Sequence, residues 1–427
     1  MFTSNNNQVK NTTHKVVLPF YLYAAISFLL TTLLLFFSSA AFNQHYFHPH
    51  VLAVTHAMAL GWGTMIILGA SHQLVPVLIE GRLYSNGLAY VSFVLAAVGI
   101  PLLVCGFYFF NLGWPAKCGG ILINAAILSY LVNLAISMVK SKNENVHAVF
   151  VFTAALWLML TTLVGLLLLY NFTAPILPKD SLHYLPLHAH MGIVGWFLLL
   201  VMGVGSRLIP LFLISKYNNK NLLWVIYILV NAGLVIFLVF FLYFPKPFFF
   251  FIPIALILCA IALFGYYCYK SFKERIRRQV DSPMKISLVS VSMMFLPISL
   301  LLIVVGWLLF DTVNVRLVMV YGVVVFFGWI TAIIFGMTFK TLPFIIWNKV
   351  YHLQTGLGKT PNPKDLFSSR IFSVMAFVYL LGFILFIAGV YVGNILLLKF
   401  ATGSLLLAAI LYNWNVIKML MHKSARS

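Results

Sequence analysis

Twelve histidines against seven carboxylates in 427 residues is the feature of this sequence that points to chemistry. Imidazole changes charge close to neutral pH and is a common metal ligand, and holding one among apolar residues is costly unless it serves such a purpose. His56 and His190 are the two that repeat. HAMALGWGTMIILGASHQLVP runs from His56 and HMGIVGWFLLLVMGVGSRLIP from His190, while VVVFFGWITAIIFGMTFKTLP, from Val323, keeps the pattern without the histidine. All three carry a Gly-Trp pair (Gly61-Trp62, Gly195-Trp196, Gly328-Trp329), a second glycine (Gly69, Gly203, Gly336) and a closing proline (Pro76, Pro210, Pro343). Their starts are 134 and 133 residues apart. Two neutral imidazoles on facing helices, without an acidic partner, suit the two axial positions of an iron porphyrin. That role is expected of His56 and His190. Trp62 and Trp196 are expected either against the porphyrin or in structural packing.

His188 stands two positions before His190. Two residues turn a helix by about 200°, so the two rings face opposite sides and cannot comfortably bind one ion. His188 is therefore a candidate for a second site. His72, on the same stretch as His56, lies about 24 Å further along a helix, where backbone or a lipid headgroup is the expected partner. His45, His48 and His50 form an outer cluster, FNQHYFHPH, whose spacing suits copper or zinc and equally suits the polar flank of a helix. Cys105, Cys118, Cys259 and Cys268 form no CxxC pair and read as buried, with a Cys105–Cys118 bridge as the alternative. No CxxCH occurs, so a haem here would be bound without covalent attachment, as a b-type group.

The elements that must position these residues follow from composition. The chain is 63% hydrophobic and only 8% charged, whereas soluble domains carry roughly a quarter charged residues. A spanning helix needs about 20 mostly apolar residues. Runs meeting that test fall at 17–41, 51–79, 86–111, 117–140, 146–172, 185–214, 222–244, 249–270, 284–310, 316–347, 370–393 and 396–420. An all-α polytopic membrane protein of about 12 transmembrane helices is predicted, in three pseudo-symmetric four-helix repeats near 17–140, 146–270 and 284–420. The net charge of +20 lies between apolar runs, so it reads as a topology signal and lipid contact, not as a nucleic-acid surface. Counting Lys and Arg in alternate connections gives 22 on the side of both termini and 5 on the other. Both termini are thus expected in the cytoplasm of a bacterial-type inner membrane. The first run is long and lacks a convincing cleavage site, so it is expected to remain as the first span.

This architecture, with histidines near the outer ends of the second and sixth spans, resembles subunit I of the haem-copper oxidases. The wording HAHMGIVGW at 188–196, followed by Leu208-Ile209-Pro210, is similar to that family's tenth-helix signature. The resemblance implies a haem between the second and sixth spans, held by His56 and His190, with His188 turned to the next pocket. It departs from the family in three ways. The H-x-H sits one repeat early, and Tyr321 and Val323 occupy the matching positions of the tenth span. The seventh run has no histidine, which removes the family's usual copper centre. All seven acidic residues, Glu80, Glu144, Asp180, Glu274, Asp281, Asp311 and Asp365, lie in connections or at span ends, which argues against a proton pump. The NnrS-type proteins, haem-containing and also without the full ligand set, are similar in architecture.

The expected function is electron transfer or the handling of oxygen or nitric oxide, with a redox partner protein or a quinol as electron source. A filled bis-histidine iron would transfer electrons only. An open-sided iron at His188 would allow reaction with a diatomic gas. The alternatives are a transporter on the same scaffold, with Asn124, Asn133 and Asn231 along its path, or an accessory subunit of a respiratory complex.

Overall fold

Most of the apolar helices start where a short polar side chain can satisfy the free backbone N–H groups of a first turn. Ser85, Asn145, Asn219, Asp281, Asn314, Ser368 and Asn394 each accept a hydrogen bond from an N–H two or three residues on. In a bilayer no water substitutes for that bond. The computed structural model describes residues 12–79, 81–141, 145–276, 278–352 and 360–424. It contains twelve helices long and apolar enough to cross a membrane: α1 (His14–Phe37), α2 (Pro49–Leu78), α3 (Asn86–Tyr108), α4 (Trp114–Val139), α5 (Val146–Thr173), α6 (Leu185–Leu213), α7 (Lys220–Tyr243), α8 (Pro247–Lys273), α9 (Ser282–Trp307), α10 (Val315–Tyr351), α11 (Ser369–Val392) and α12 (Ile395–Leu420). The chain is an all-helical, multi-pass membrane protein. Among the described residues there is no sheet, only an isolated bridge between Ser215 and Arg275 in the connections after α6 and α8.

The helices match the twelve apolar runs one for one, with shifts at the ends. α1 stops at Phe37, and the chain turns through a 3-10 segment at Ser39–Asn43. α10 continues to Tyr351, four residues past the expected boundary. Of the charges used for orientation, Lys10, Lys142, Arg277, Lys359 and Arg426 lie outside the described residues, as do Glu80 and Glu144.

Three helices form the centre. The most apolar windows of α2, α6 and α10 are 72%, 78% and 72% buried, while those of the other nine lie between 28% and 44%. These are the helices that carry the Gly-Trp motifs. The others surround them, each packing on its chain neighbour, and α12 returns to α1. Asn413 Nδ2 donates to Ala25 O at 2.8 Å and Lys399 Nζ to Phe36 O at 2.7 Å, which closes that seam. Small residues let the inner helices approach their neighbours: a Cβ on Gly203 of α6 would collide with Phe150 Cβ of α5.

The cysteine expectation needs correcting. Cys105 and Cys259 are exposed and not buried, and all four are free, so no Cys105–Cys118 bridge forms. On α3 it is Gly106, one residue on, that packs against Ala116 of α4, leaving Cys105 turned away.

Candidate functional site

The inner helices are not regular. Each passes through a π-helical stretch, at Ala57–Thr64 in α2, Met191–Leu198 in α6 and Val324–Ile330 in α10. These begin at the residue immediately after His56, His190 and Val323, so they share the motif's spacing. A π turn leaves backbone carbonyls without their usual donors, and hydroxyls supply them in α10. Tyr379 Oη donates to both Phe327 O and Gly328 O at 2.8 Å, and Thr331 Oγ1 to Phe326 O at 2.7 Å. The motif tryptophans join the stretches to one another. Trp196 Nε1 donates to Thr64 Oγ1 at 3.1 Å and Trp62 Nε1 to Thr331 Oγ1 at 3.3 Å. At the corresponding position of α6 stands Leu198, and Trp329 Nε1 is buried with no partner among the described residues.

Immediately N-terminal to the stretches of α2 and α6 lie His56, His188 and His190. His56 Nδ1 bonds Leu52 O at 2.8 Å, His190 Nδ1 bonds Pro186 O at 2.7 Å, and His188 Nδ1 bonds Thr161 O of α5 at 3.0 Å. A carbonyl only accepts, so Nδ1 carries the proton in each ring. The Nε2 lone pair is thereby left for a ligand. His190 Nε2 is buried without any partner among the described residues, an arrangement that costs about 1–3 kcal/mol if nothing fills it.

The structure pairs these rings differently from the sequence expectation. His56 faces His188: their ring centres are 6.3 Å apart and their planes 19° from parallel. His190 is turned to the other side of α6, against Phe237 of α7 and Tyr321 of α10, the latter with ring centres 5.9 Å apart and planes 21° from parallel. The opposite facing of His188 and His190 follows from their two-residue separation on a helix. Both lobes belong to a cavity of about 560 Å³ whose wall includes His56, Phe107, His188, His190, Phe237 and Tyr321, within the range of about 300–1,000 Å³ typical of ligand pockets. Phe107 of α3 lies against the His56 ring at 4.4 Å. Gly165 of α5 makes room for His188, since a Cβ there would stand 2.8 Å from His188 Cε1. Of the two tryptophans, Trp196 lines the cavity, whereas Trp62 does not and stacks on Phe28 at 4.5 Å.

The donor set and spacing can be tested against a haem. A first-row metal lies about 2.0–2.1 Å from an imidazole nitrogen and roughly 3.2 Å from the ring centre, so two imidazoles sharing one in line stand roughly 6.4 Å apart. The His56–His188 ring-centre separation of 6.3 Å is compatible with that spacing, and no described residue hydrogen-bonds the Nε2 of either ring. The walls are apolar, as a porphyrin face requires.

The remaining polar residues have local roles. His48 caps α2, its Nδ1 accepting from His50 N at 3.2 Å, and His45 Nδ1 accepts from Phe47 N at 3.1 Å. Burial and the neighbouring His50 hold His48 below the ordinary imidazole range. Burial and Lys179 do the same at His183, against the opposing pull of Asp180. His72 is buried against Phe20 and Tyr130 and bonds Leu68 O at 2.7 Å, so backbone and not a headgroup is its partner. Asn133 ties α4 to Ser85, and Asn231 Oδ1 accepts from Trp157 Nε1 at 3.0 Å. Asn124 bonds Gly120 O and Thr162 at the cavity wall.

Phe107, Thr161 and Gly165 had no signal in the sequence, because they reach the site from helices without a motif. Tyr321 did have one: it occupies the register of His188 in the third motif. No protein-family model matches the chain, and no curated protein matches it either.

Proposed function

We propose that this chain is a haem-binding membrane protein on a scaffold like that of haem-copper oxidase subunit I, acting in electron transfer or in the handling of oxygen or nitric oxide, without proton pumping. The observation that carries this reading is the His56–His188 pair, near-parallel at 6.3 Å, with both Nδ1 atoms tied to backbone carbonyls and both rings on an apolar cavity. His56 and His188 would hold the iron through Nε2. Leu52 O and Thr161 O orient the two rings, and the apolar walls keep water away. When bound, a haem supplies one-electron exchange at its iron. His190, with its orphaned Nε2, would hold a second group on the far side of α6.

The same proposal includes the three four-helix units, a bacterial-type cytoplasmic membrane with both termini inside, and a redox partner protein or quinol as electron source. Copper is left out of it, since α7 carries no histidine. The five acidic residues among those described lie at span ends or in connections, which supports the non-pumping reading.

The test is the haem content and the reduced-minus-oxidised absorbance spectrum of the detergent-purified chain. A low-spin haem spectrum is expected. A colourless chain that stays haem-free after reconstitution with haem would sink the proposal and favour a transporter or accessory subunit.

A further inference from the structure

A second cavity, of about 90 Å³, lies between the C-terminal halves of α2, α6 and α10. The same five positions of each Gly-Trp motif line it: 11, 12, 15, 16 and 19, counted from His56, His190 and Val323. They form one stripe along a helix, with Ile67, Val201 and Ile334 at position 12 and Ala70, Val204 and Met337 at position 15. The cavity is thus the place where three equivalent stripes face one another without filling the space between them. Atoms on an unfilled wall forfeit dispersion contacts, which a guest of the right size and polarity would restore.

The wall decides the polarity. It is almost wholly apolar, and its hydroxyls are already engaged: Ser71 Oγ with Tyr130 Oη at 2.7 Å, Thr338 Oγ1 with Tyr412 Oη at 3.2 Å, and Tyr21 Oη with Thr341 Oγ1 at 2.9 Å. A buried water needs several polar partners, and an apolar cavity without them stays dry and takes apolar guests. The volume exceeds the roughly 10–15 Å³ that one water-sized guest requires, yet it is far below the 560 Å³ of the histidine-lined cavity. Phe197 lines both cavities. It stands at position 8 of its motif, where α2 has Gly63 and α10 has Ile330. Its ring occupies the space that Gly63 leaves, since a Cβ there would lie 2.8 Å from Phe197 Cε1. It also meets Phe326 of α10 edge-on, with ring centres 6.2 Å apart.

We propose that the cavity between the three stripes is a binding site for a small apolar solute of the size of a diatomic gas, with Phe197 as the partition between it and the histidine-lined cavity. Such solutes leave water readily for apolar surroundings. The site is independent of the haem reading, because His56, His188 and His190 take no part in its wall.

Crystals of the native chain pressurised with xenon, an apolar probe of this size, test the site through anomalous scattering. A xenon peak is expected between Ile67, Val201 and Ile334. Ala70→Leu, which fills the cavity from the α2 side, should lose that peak. Phe197→Ala should keep it and add a second where the ring stood. Native crystals without xenon at this place, or with ordered water or a lipid chain in it, overturn the proposal, and that result requires no variant to fold. A peak of undiminished occupancy in Ala70→Leu overturns it as well, and a missing second peak in Phe197→Ala overturns the partition role of the ring. Absorbance of the same crystals reports haem separately, so a haem-free chain that binds xenon overturns the haem reading and leaves this site standing.

Discussion

The imidazoles of His56 and His188 lie 6.3 Å apart and within 19° of parallel across the contact between α2 and α6. Each is anchored by its own carbonyl, so neither ring depends on the other for its orientation. His56→Ala and His188→Ala should therefore each remove the low-spin haem signal, whereas His190→Ala should leave it. Spectra of the three variants at equal protein concentration decide the pairing. Loss in His190→Ala with retention in His188→Ala would restore the pairing expected from the sequence.

Gly165 has no chemistry of its own, yet its missing side chain sets where His188 can stand. Gly165→Val should lower haem content at the first lobe several-fold while the chain still folds, because the new side chain would press on His188 Cε1, already 2.8 Å from where a Cβ would lie. Haem-to-protein ratio and circular dichroism measured together check this. Unchanged haem with native helicity would mean that the ring has another place to go.

The tryptophan relay predicts an asymmetry among three residues that look equivalent in sequence. Thr64→Val strands the buried Trp196 Nε1 and should destabilise by about 1–3 kcal/mol. Leu198→Thr places a hydroxyl at the register where Trp329 lacks one, and should leave the midpoint unchanged or raise it. Thermal unfolding midpoints in a single detergent give both. A fall for Leu198→Thr as large as that for Thr64→Val would show that the register argument does not hold in α6.

At the start of α2 the cap is sensitive to pH. His48 Nδ1 must be unprotonated to accept from His50 N. Its folded pKa lies below the ordinary value of about 6.5, so folding disfavours protonation. The cap's contribution is present at neutral pH and is lost as pH falls below that value. The exchange protection of the amides at 50–52 should fall between pH 7 and pH 5, so that their rates slow less than the intrinsic change, and His48→Asn should abolish that loss of protection. Equal responses in both chains would remove His48 as the cause.

Much of this was legible in the sequence, and the failures have a common cause. Apolar length identified the twelve spans because each must cross a hydrocarbon layer of fixed thickness. The Gly-Trp stretches pointed to α2, α6 and α10 as a set, and these are the three buried at the centre. Matching equivalent positions set His56 with His190 as haem ligands, whereas the ring that the structure places beside His56 is His188. That His56 meets His188 and His190 meets Tyr321 depends on contacts between helices that the apolar pattern does not encode. Thr161, Gly165 and Phe107 come from α5 and α3 and complete the site only in three dimensions.

The π stretches also change how each inner helix should be read along its length. One additional residue in a turn offsets everything on one side from everything on the other by about 100°. The stripe that faces the cavity in the outer half of α2 is therefore continued, in the inner half, by a different set of residues from those an unbroken helix would present. Deleting Gly63 alone would restore an ordinary helix, keep every side chain of the outer half, and swing His56 away from His188 by more than a quarter turn. The aim of His56 is thus held by a surplus residue further along α2, so a length change there disarms the site without altering any group in it.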